Sequence, residues 1–371
     1  MTKAKSPLRA LDIAAGIVPT ERGLHELDLA FGEFGVRVFS NAKPLLHRLD
    51  RYYQAFLSPA RPTPDLVIHA IERPAARLPL AFREWPREPG KRGRKEEWAD
   101  VEGGRVVRKI RTGMQFLIGP EYRVAFGPCQ ANDNQIVNFI NTQYINHHVH
   151  RGWVLGHAAS AAARDGARSV VFAAGSGGGK STLALHLLSL GAGFVSNDRV
   201  LLRRHGDEVL VRGVPKLPRV NPGTIINNPK LLSLLSQEKI DSLRTLSREE
   251  LWQLEEKYDV DLKLTFSGTS YVAESAVSAL VVLDWDRRVS LPTEFIETAY
   301  ESCEGAFTAI RKGPGPFFFA ADGTMPSGPV EPDAANYLRE LDGLSVLQLR
   351  GGVEFEKAAS RVADLLDLGA Q

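Results

Sequence analysis

Cysteine is nearly absent from this chain: Cys129 and Cys303 are the whole complement in 371 residues. Two thiols are too few for a disulfide framework or a cysteine-built zinc site. Charge of one sign is also lacking. A formal net charge of +2 creates no global field that would draw the chain to nucleic acid or to a membrane. No apolar run approaches the roughly 18 residues of a membrane span. The opening Met1-Thr2-Lys3-Ala4-Lys5-Ser6-Pro7 leads into no apolar segment of the secretory kind. The expectation is a cytoplasmic protein with no nucleic-acid or membrane partner. Internal repeats and low-complexity tracts are missing too. What is present is 43% hydrophobic and 24% charged residues, enough for a substantial core in what the length suggests are two domains.

Against that ordinary background one run stands out, Ala174-Gly175-Ser176-Gly177-Gly178-Gly179-Lys180-Ser181-Thr182. It follows the pattern of a phosphate-binding loop. Glycines let successive backbone N–H groups turn toward one anion, the lysine reaches the β- and γ-phosphates, and the hydroxyl ligates Mg²⁺. Gly179, Lys180 and Ser181 fill the last three positions, while the first consensus glycine is replaced by Ala174, the mildest substitute. The flanks fit as well. Ser169-Val170-Val171-Phe172-Ala173 is an apolar, β-branched run of the strand type, entered from the turn Arg164-Asp165-Gly166. Leu183, Leu187 and Leu190, with Ala184 and Leu188, keep helical spacing until Gly191-Ala192-Gly193. A helix N-terminus so placed favours bound phosphate. The loop points to a bound nucleoside triphosphate and Mg²⁺, with Gly175, Ser176, Gly177, Gly178, Gly179, Lys180, Ser181 and Thr182 holding the nucleotide.

The first third has the pattern of a small α+β module. Strands are expected at Gly35–Phe39 and Asp65–Ala70 and a helix from Leu45 to Phe56. Arg83 to Glu97 is charged and punctuated by Pro and Gly, with interleaved acids, and is expected to be a solvated loop. Arg105–Ile110 and Met114–Ile118 are candidate paired strands, and a helix rich in capping residues is expected from Asn132. Its end, His147-His148-Val149-His150, lacks an acid or cysteine at ligand spacing and is expected to be a surface helix end. Later, Ala279–Leu283 reads as a buried strand and Phe355–Leu368 as a closing amphipathic helix.

A phosphate loop needs a carboxylate beside the metal, usually at the end of an apolar strand. Two sites compete. Ser278-Ala279-Leu280-Val281-Val282-Leu283-Asp284 has the better apolar run; Gly193-Phe194-Val195-Ser196-Asn197-Asp198 follows the loop's own helix directly. Cations for a transition-state clamp are offered by Lys216 and Arg219, in a polar loop with Asn221 and Thr224, and by Arg311-Lys312. Turn chemistry at Pro222-Gly223 also accounts for the first pair. Lys257-Tyr258-Asp259-Val260-Asp261 carries polar residues of mixed sign that an exposed helix end explains.

The segment His157 to Leu202, with Gly175-Ser176-Gly177-Gly178-Gly179-Lys180-Ser181 and then Gly193-Phe194-Val195-Ser196-Asn197-Asp198-Arg199-Val200, resembles the bacterial HPr kinase/phosphorylase family. More loosely, the whole chain is similar to the proteobacterial HPr kinase-related proteins, the kinase B group. The resemblance implies an α/β fold, with a P-loop nucleotide-binding core of the HPr kinase/phosphoenolpyruvate carboxykinase type at 126–371 and a smaller amino-terminal α+β domain at 1–125. It implies an ATP-dependent kinase acting on a serine or other hydroxyl of a protein or peptide acceptor, and a possible homo-oligomer. It places Lys180 on the β- and γ-phosphates, Ser181 and Asp198 at the metal, and His157 beside the nucleotide or acceptor; Arg219 joins them as a catalytic candidate. The family has two adjacent acids where this chain has Asn197-Asp198, and an amide cannot serve as general base. An ATPase or nucleotide-gated binding module without phosphotransfer, or a small-molecule kinase, is the alternative.

Overall fold

The computed structural model describes residues 8–19, 23–59, 63–86, 93–254 and 256–368. It is a mixed α/β structure. Two compact units divide the chain, Met1–Arg151 with Gly313–Glu331 and Gly152–Lys312 with Pro332–Gln371. Residues 126–151 and 313–331 therefore group with the amino-terminal strands.

In the first unit, the described residues form an eight-stranded sheet from β1 (His25–Phe31), β2 (Phe34–Ser40), β3 (Leu66–Glu72), β4 (Arg83–Glu84), β5 (Glu96–Val101), β6 (Gly104–Lys109), β7 (Gln115–Ile118) and β8 (Arg123–Gly127). Its order is β1-β2-β3-β8-β7-β6-β5-β4. The β2/β3 and β3/β8 pairs are parallel and the others antiparallel. Helix α1 (Ala10–Ile17) packs Ala10, Ile13 and Ile17 against Ile71, Val106, Leu117, Val124 and Phe126. Helix α2 (Lys43–Tyr53) buries Leu45, Leu46, Leu49 and Tyr53 at helical spacing.

Helix α3 (Asp133–Val149) differs, because its buried residues include Asn141, Thr142, Gln143, Asn146 and His148. Some of these are matched inside: Tyr53 Oη–H donates to Asn141 Oδ1 at 3.0 Å, and Thr142 Oγ1–H to Asn138 O at 2.7 Å. The returning segment adds Phe317, whose ring meets Phe116 and Phe139 at 5.0 and 5.5 Å.

Several expectations need correction here. His147-His148 is no surface helix end: His148 is buried, and both rings pack with Phe34, at 4.5 and 5.4 Å. The stretch 83–97 is not all loop. Arg83 and Glu84 pair with Trp98 and Glu97, and residues 87–92 lie outside the described residues.

The second unit is built on nine described strands: β9 (Val154–Gly156), β10 (Ala158–Ala162), β11 (Arg168–Ala173), β12 (Gly193–Ser196), β13 (Val200–His205), β14 (Glu208–Gly213) and, after the small pair β15 (Arg219–Val220) and β16 (Tyr258–Asp259), β17 (Glu274–Leu283), β18 (Thr293–Ala299) and β19 (Ser345–Gly351). The path runs β12-β10-β11-β17-β14-β13-β9, and β19 also pairs with β17. β17 is long enough for both partners: its first residues pair with β14 and its last four with β19. Its final residues, Leu280 to Leu283, are buried.

Strands β11, β17 and β19 are parallel. β12 is antiparallel to β10, which is antiparallel to β11, so β12 runs in the direction of β11. The carboxyl ends of these four strands share one end of the sheet, where α/β proteins place their ligands. Helix α4 (Lys180–Ser189) follows β11 and buries Leu183, Ala184, Leu185, Leu187 and Leu188. Short helices α5 (Pro222–Ile226), α6 (Gln237–Arg244), α7 (Arg248–Gln253), α8 (Leu262–Thr265) and α9 (Ala306–Ile310) come next, before α10 (Ala334–Leu341) and α11 (Phe355–Leu365). The 257–261 stretch is a helix end only at Asp261, whose carboxylate caps α8 by accepting from Lys263 and Leu264 N–H; Tyr258 and Asp259 form β16 instead.

Candidate functional site

The turn from β11 into α4 is shaped by glycine. Gly177 and Gly179 have φ of +70° and +98°, a region where L side chains are strained. A Cβ on Gly179 would also meet the Phe355 ring at 2.8 Å, and one on Gly178 would meet Ala174 Cβ at 2.6 Å. The buried Ala174 methyl thus lies against a glycine. The loop is braced from outside by Trp285, whose Nε1–H donates to Gly178 O at 2.9 Å and whose ring stands edge-on to Phe355 at 5.0 Å. Gly179 is the N-cap of α4 and supplies no side-chain acceptor. First-turn N–H groups remain for an anion.

Lys180 lies in the first turn of α4 and is 7% exposed. Its ammonium donates to Ala174 O at 2.9 Å and Gly175 O at 3.2 Å, so it is held across the mouth of the loop. Burial lowers its pKa to about 8, opposed by the Asp198 carboxylate and assisted by the Lys312 ammonium. Thr182, on the same turn, shares a hydrogen bond with Thr224 of α5 through their hydroxyls at 2.9 Å. Ser181 is the second residue of α4, between Lys180 and Thr182.

Asp198, just beyond β12, is the hub of the charges. Its carboxylate lies 3.7 Å from His157 Nε2, 3.7 Å from Arg199 Nε and 3.9 Å from Lys216 Nζ. Burial alone would raise its pKa, but Arg199, Lys216, His157 and Lys180 outweigh that and hold it below the usual carboxylate range. It stays ionised at neutral pH. His157, between β9 and β10, goes the other way. Burial first, then Lys180, pushes it down to about 4 despite Asp198, so the contact is between a neutral imidazole and a carboxylate. Lys216 is also lowered, mainly by burial.

Asn197 is 8% exposed, and its Oδ1 has no hydrogen-bond partner within the protein. Arg219 stands on β15 and pairs with Asp259 at 2.8 Å; it is brought to the cluster only through its charge on Lys216. Asp284, the rival carboxylate, accepts from Gln348 Nε2 at 2.9 Å and lies 3.5 Å from Arg350.

The structure therefore brings together Lys180, Asp198, His157 and Lys216, with Asn197 adjacent in the chain. It adds two groups that sequence reasoning passed over, Arg199 and Arg287, and one that it ranked low, Lys312. Arg199 follows Asp198 immediately, and no pattern distinguishes it from any strand-edge arginine. Arg287 approaches the loop, since a Cβ on Gly177 would lie 3.8 Å from its guanidinium; that guanidinium stacks on Trp252 at 4.9 Å. Lys312, the weaker sequence candidate, acts on both Lys180 and His157. For Mg²⁺ the chemistry of the donors fits: a helix hydroxyl at Ser181 and an ionised carboxylate at Asp198. Mg²⁺ takes one or two carboxylates and completes its shell with phosphate and water.

Comparison with known proteins adds little. No family model matches the chain, and no curated protein matches it. Among solved structures, the HPr(Ser) kinase/phosphatase from Coxiella burnetii aligns over 57% of this chain and 93% of its own, at 10% identity and a TM-score of 0.29. A likeness of that size carries no argument about fold or function. Among the described residues no helix is long and apolar enough to cross a membrane.

Proposed function

We propose that the second unit is a P-loop nucleotide-binding core and that the protein is an ATP-dependent kinase of the HPr kinase-like type, passing the γ-phosphate to a hydroxyl of a protein or peptide acceptor. The observation that carries this reading is the placing of Lys180 and Asp198. One is a buried cation on the loop, the other an anion kept ionised by its neighbours, and both stand at the end of the sheet where the loop opens. Phosphoryl transfer needs chiefly positioning and charge stabilisation, and this pair of opposite charges supports the reading.

In this scheme the Gly175–Gly179 amides and the α4 N-terminus hold the phosphates, and Lys180 leaves its carbonyls to neutralise the β- and γ-oxygens. Ser181 and Asp198 hold Mg²⁺, which supplies charge neutralisation when bound. The bond from the γ-phosphorus to the leaving ADP oxygen breaks as the bond to the acceptor oxygen forms. Asp198 accepts the acceptor's hydroxyl proton late, little base help being needed in a loose transition state. His157, neutral, positions Asp198; Asn197 orients the acceptor hydroxyl through its unpartnered Oδ1. Lys216, Arg199 and Lys312 supply positive charge around the transferring group, and Arg219 contacts the acceptor.

The test is transfer of labelled γ-phosphate to a co-encoded acceptor protein, with Lys180→Ala as the control. Transfer that survives that change overturns the assignment. A second reading, an ATPase or nucleotide-gated binder, is favoured by Asn197 where a second acid would assist the acceptor; steady hydrolysis without any acceptor would establish it.

A further inference from the structure

A separate polar cavity of about 240 Å³ lies wholly in the first unit, where the carboxyl end of α3 meets the starts of β3 and β8. Two buried amides face it. Gln143 is 1% exposed, and neither its Nε2 nor its Oε1 has a hydrogen-bond partner within the protein. Asn146, three residues on and so on the same face, uses its Nδ2–H on Phe317 O at 2.7 Å and leaves Oδ1 unpartnered. An unpaired buried polar group is destabilising, because it has lost its water and gained no partner. Three such atoms around one cavity indicate that their partner belongs in it.

The charges around the cavity give that partner a sign. Arg123 and Arg151 supply two guanidinium groups, and Arg151 is anchored by donating to His147 O at 3.0 Å. Asp65 is the opposing acid, and its carboxylate already accepts from Gly35 N–H at 2.8 Å. His147 is neutral, pushed down to about 4 mainly by burial. His150 is committed to the neighbouring segment, donating from Nε2 to Phe319 O at 2.6 Å. The balance is positive, and guanidinium forks match oxyanions. The volume suits a metabolite of a few carbons and not a nucleotide.

We propose that this cavity binds a small oxyanion, a carboxylate or a phosphate ester, that also bears a hydroxyl. Arg123 takes the anionic end, and the Gln143 and Asn146 amides take the hydroxyl, which both donates and accepts. The site is independent of the phosphate loop and of the kinase reading.

Calorimetric titration of the full chain with L-malate and with glycerol 3-phosphate, against sodium chloride at matched ionic strength, separates the two sources of the anion. Heat is expected from at least one of the two acids. Affinity is expected to fall about tenfold or more in Arg123→Gln and in the near-isosteric Gln143→Leu. Heat from neither acid, with Gln143→Leu melting above the parent, identifies a cavity filled by water and overturns the proposal. Binding that persists unchanged in both variants overturns it equally. The parent titration keeps the test decisive even where Arg123→Gln fails to fold.

Discussion

Asp198 and Asp284 stand at the same end of one sheet, each just past a strand that runs in the direction of β11, yet they keep different company. Asp198 is ringed by Arg199, Lys216, His157 and, at longer range, Lys180. Asp284 is engaged by Gln348 and Arg350 from β19. The longer apolar run precedes Asp284 because β17 lies between β11, β14 and β19. β12 needs only four buried residues at its place by β10. An apolar run thus measures how deeply a strand is buried. Where cationic side chains converge is a separate property, and the proposed phosphate site rests on it rather than on the apolar run.

The contrast can be broken most sharply at the loop itself. Lys180→Ala is expected to reduce γ-phosphate transfer by about 10²–10³-fold or more, on the scale of removing one preorganised charge donor. Next, Asp198→Asn should reduce kcat by about 10²-fold, on the lower side of general acid–base effects, and Asp284→Asn by less than about tenfold. Reversal of that order would move the metal-side role to β17. Gly179→Ala tests the backbone: with φ at +98° and the Phe355 ring in the way, a loss of about 1–3 kcal/mol in thermal or denaturant unfolding is expected. The gentlest probe is pH. Lys180 is charged below about 8 in the free protein, so kcat/KM for ATP should fall as pH rises through that value. His157, neutral above about 4, should contribute no limb near neutrality. His157→Gln is therefore expected to lower the profile without changing its shape.

Much of the strand and helix pattern was legible. The run Ser169–Ala173 lies in β11, Leu183, Leu187 and Leu188 are buried on α4 while Leu190 only caps it and is exposed, and Arg105–Ile110 and Met114–Ile118 overlap the paired β6 and β7. These elements obey simple periodicity. The histidines of α3 did not, because their packing depends on Phe34 of β2, more than a hundred residues away in sequence. The pairing of Arg83–Glu84 with β5 was hidden for the same reason, its charged composition saying only that the strand is exposed. At the site, the loop is local in sequence and could be recognised as such. Arg199, Arg287 and Lys312 could not be ranked, since only tertiary proximity separates them from other cations.

Trp285 gives the loop a property of another kind. Its indole is tied to Gly178 O and packed on Phe355, so any rearrangement of the loop around phosphate changes the polarity about one fluorophore. If the loop holds phosphate as proposed, the chain carries its own optical gauge of that occupancy. Addition of ATP with Mg²⁺ should alter the tryptophan emission of the parent, and Trp285→Phe should remove most of that change, the rest coming from Trp252, which meets the loop through Arg287.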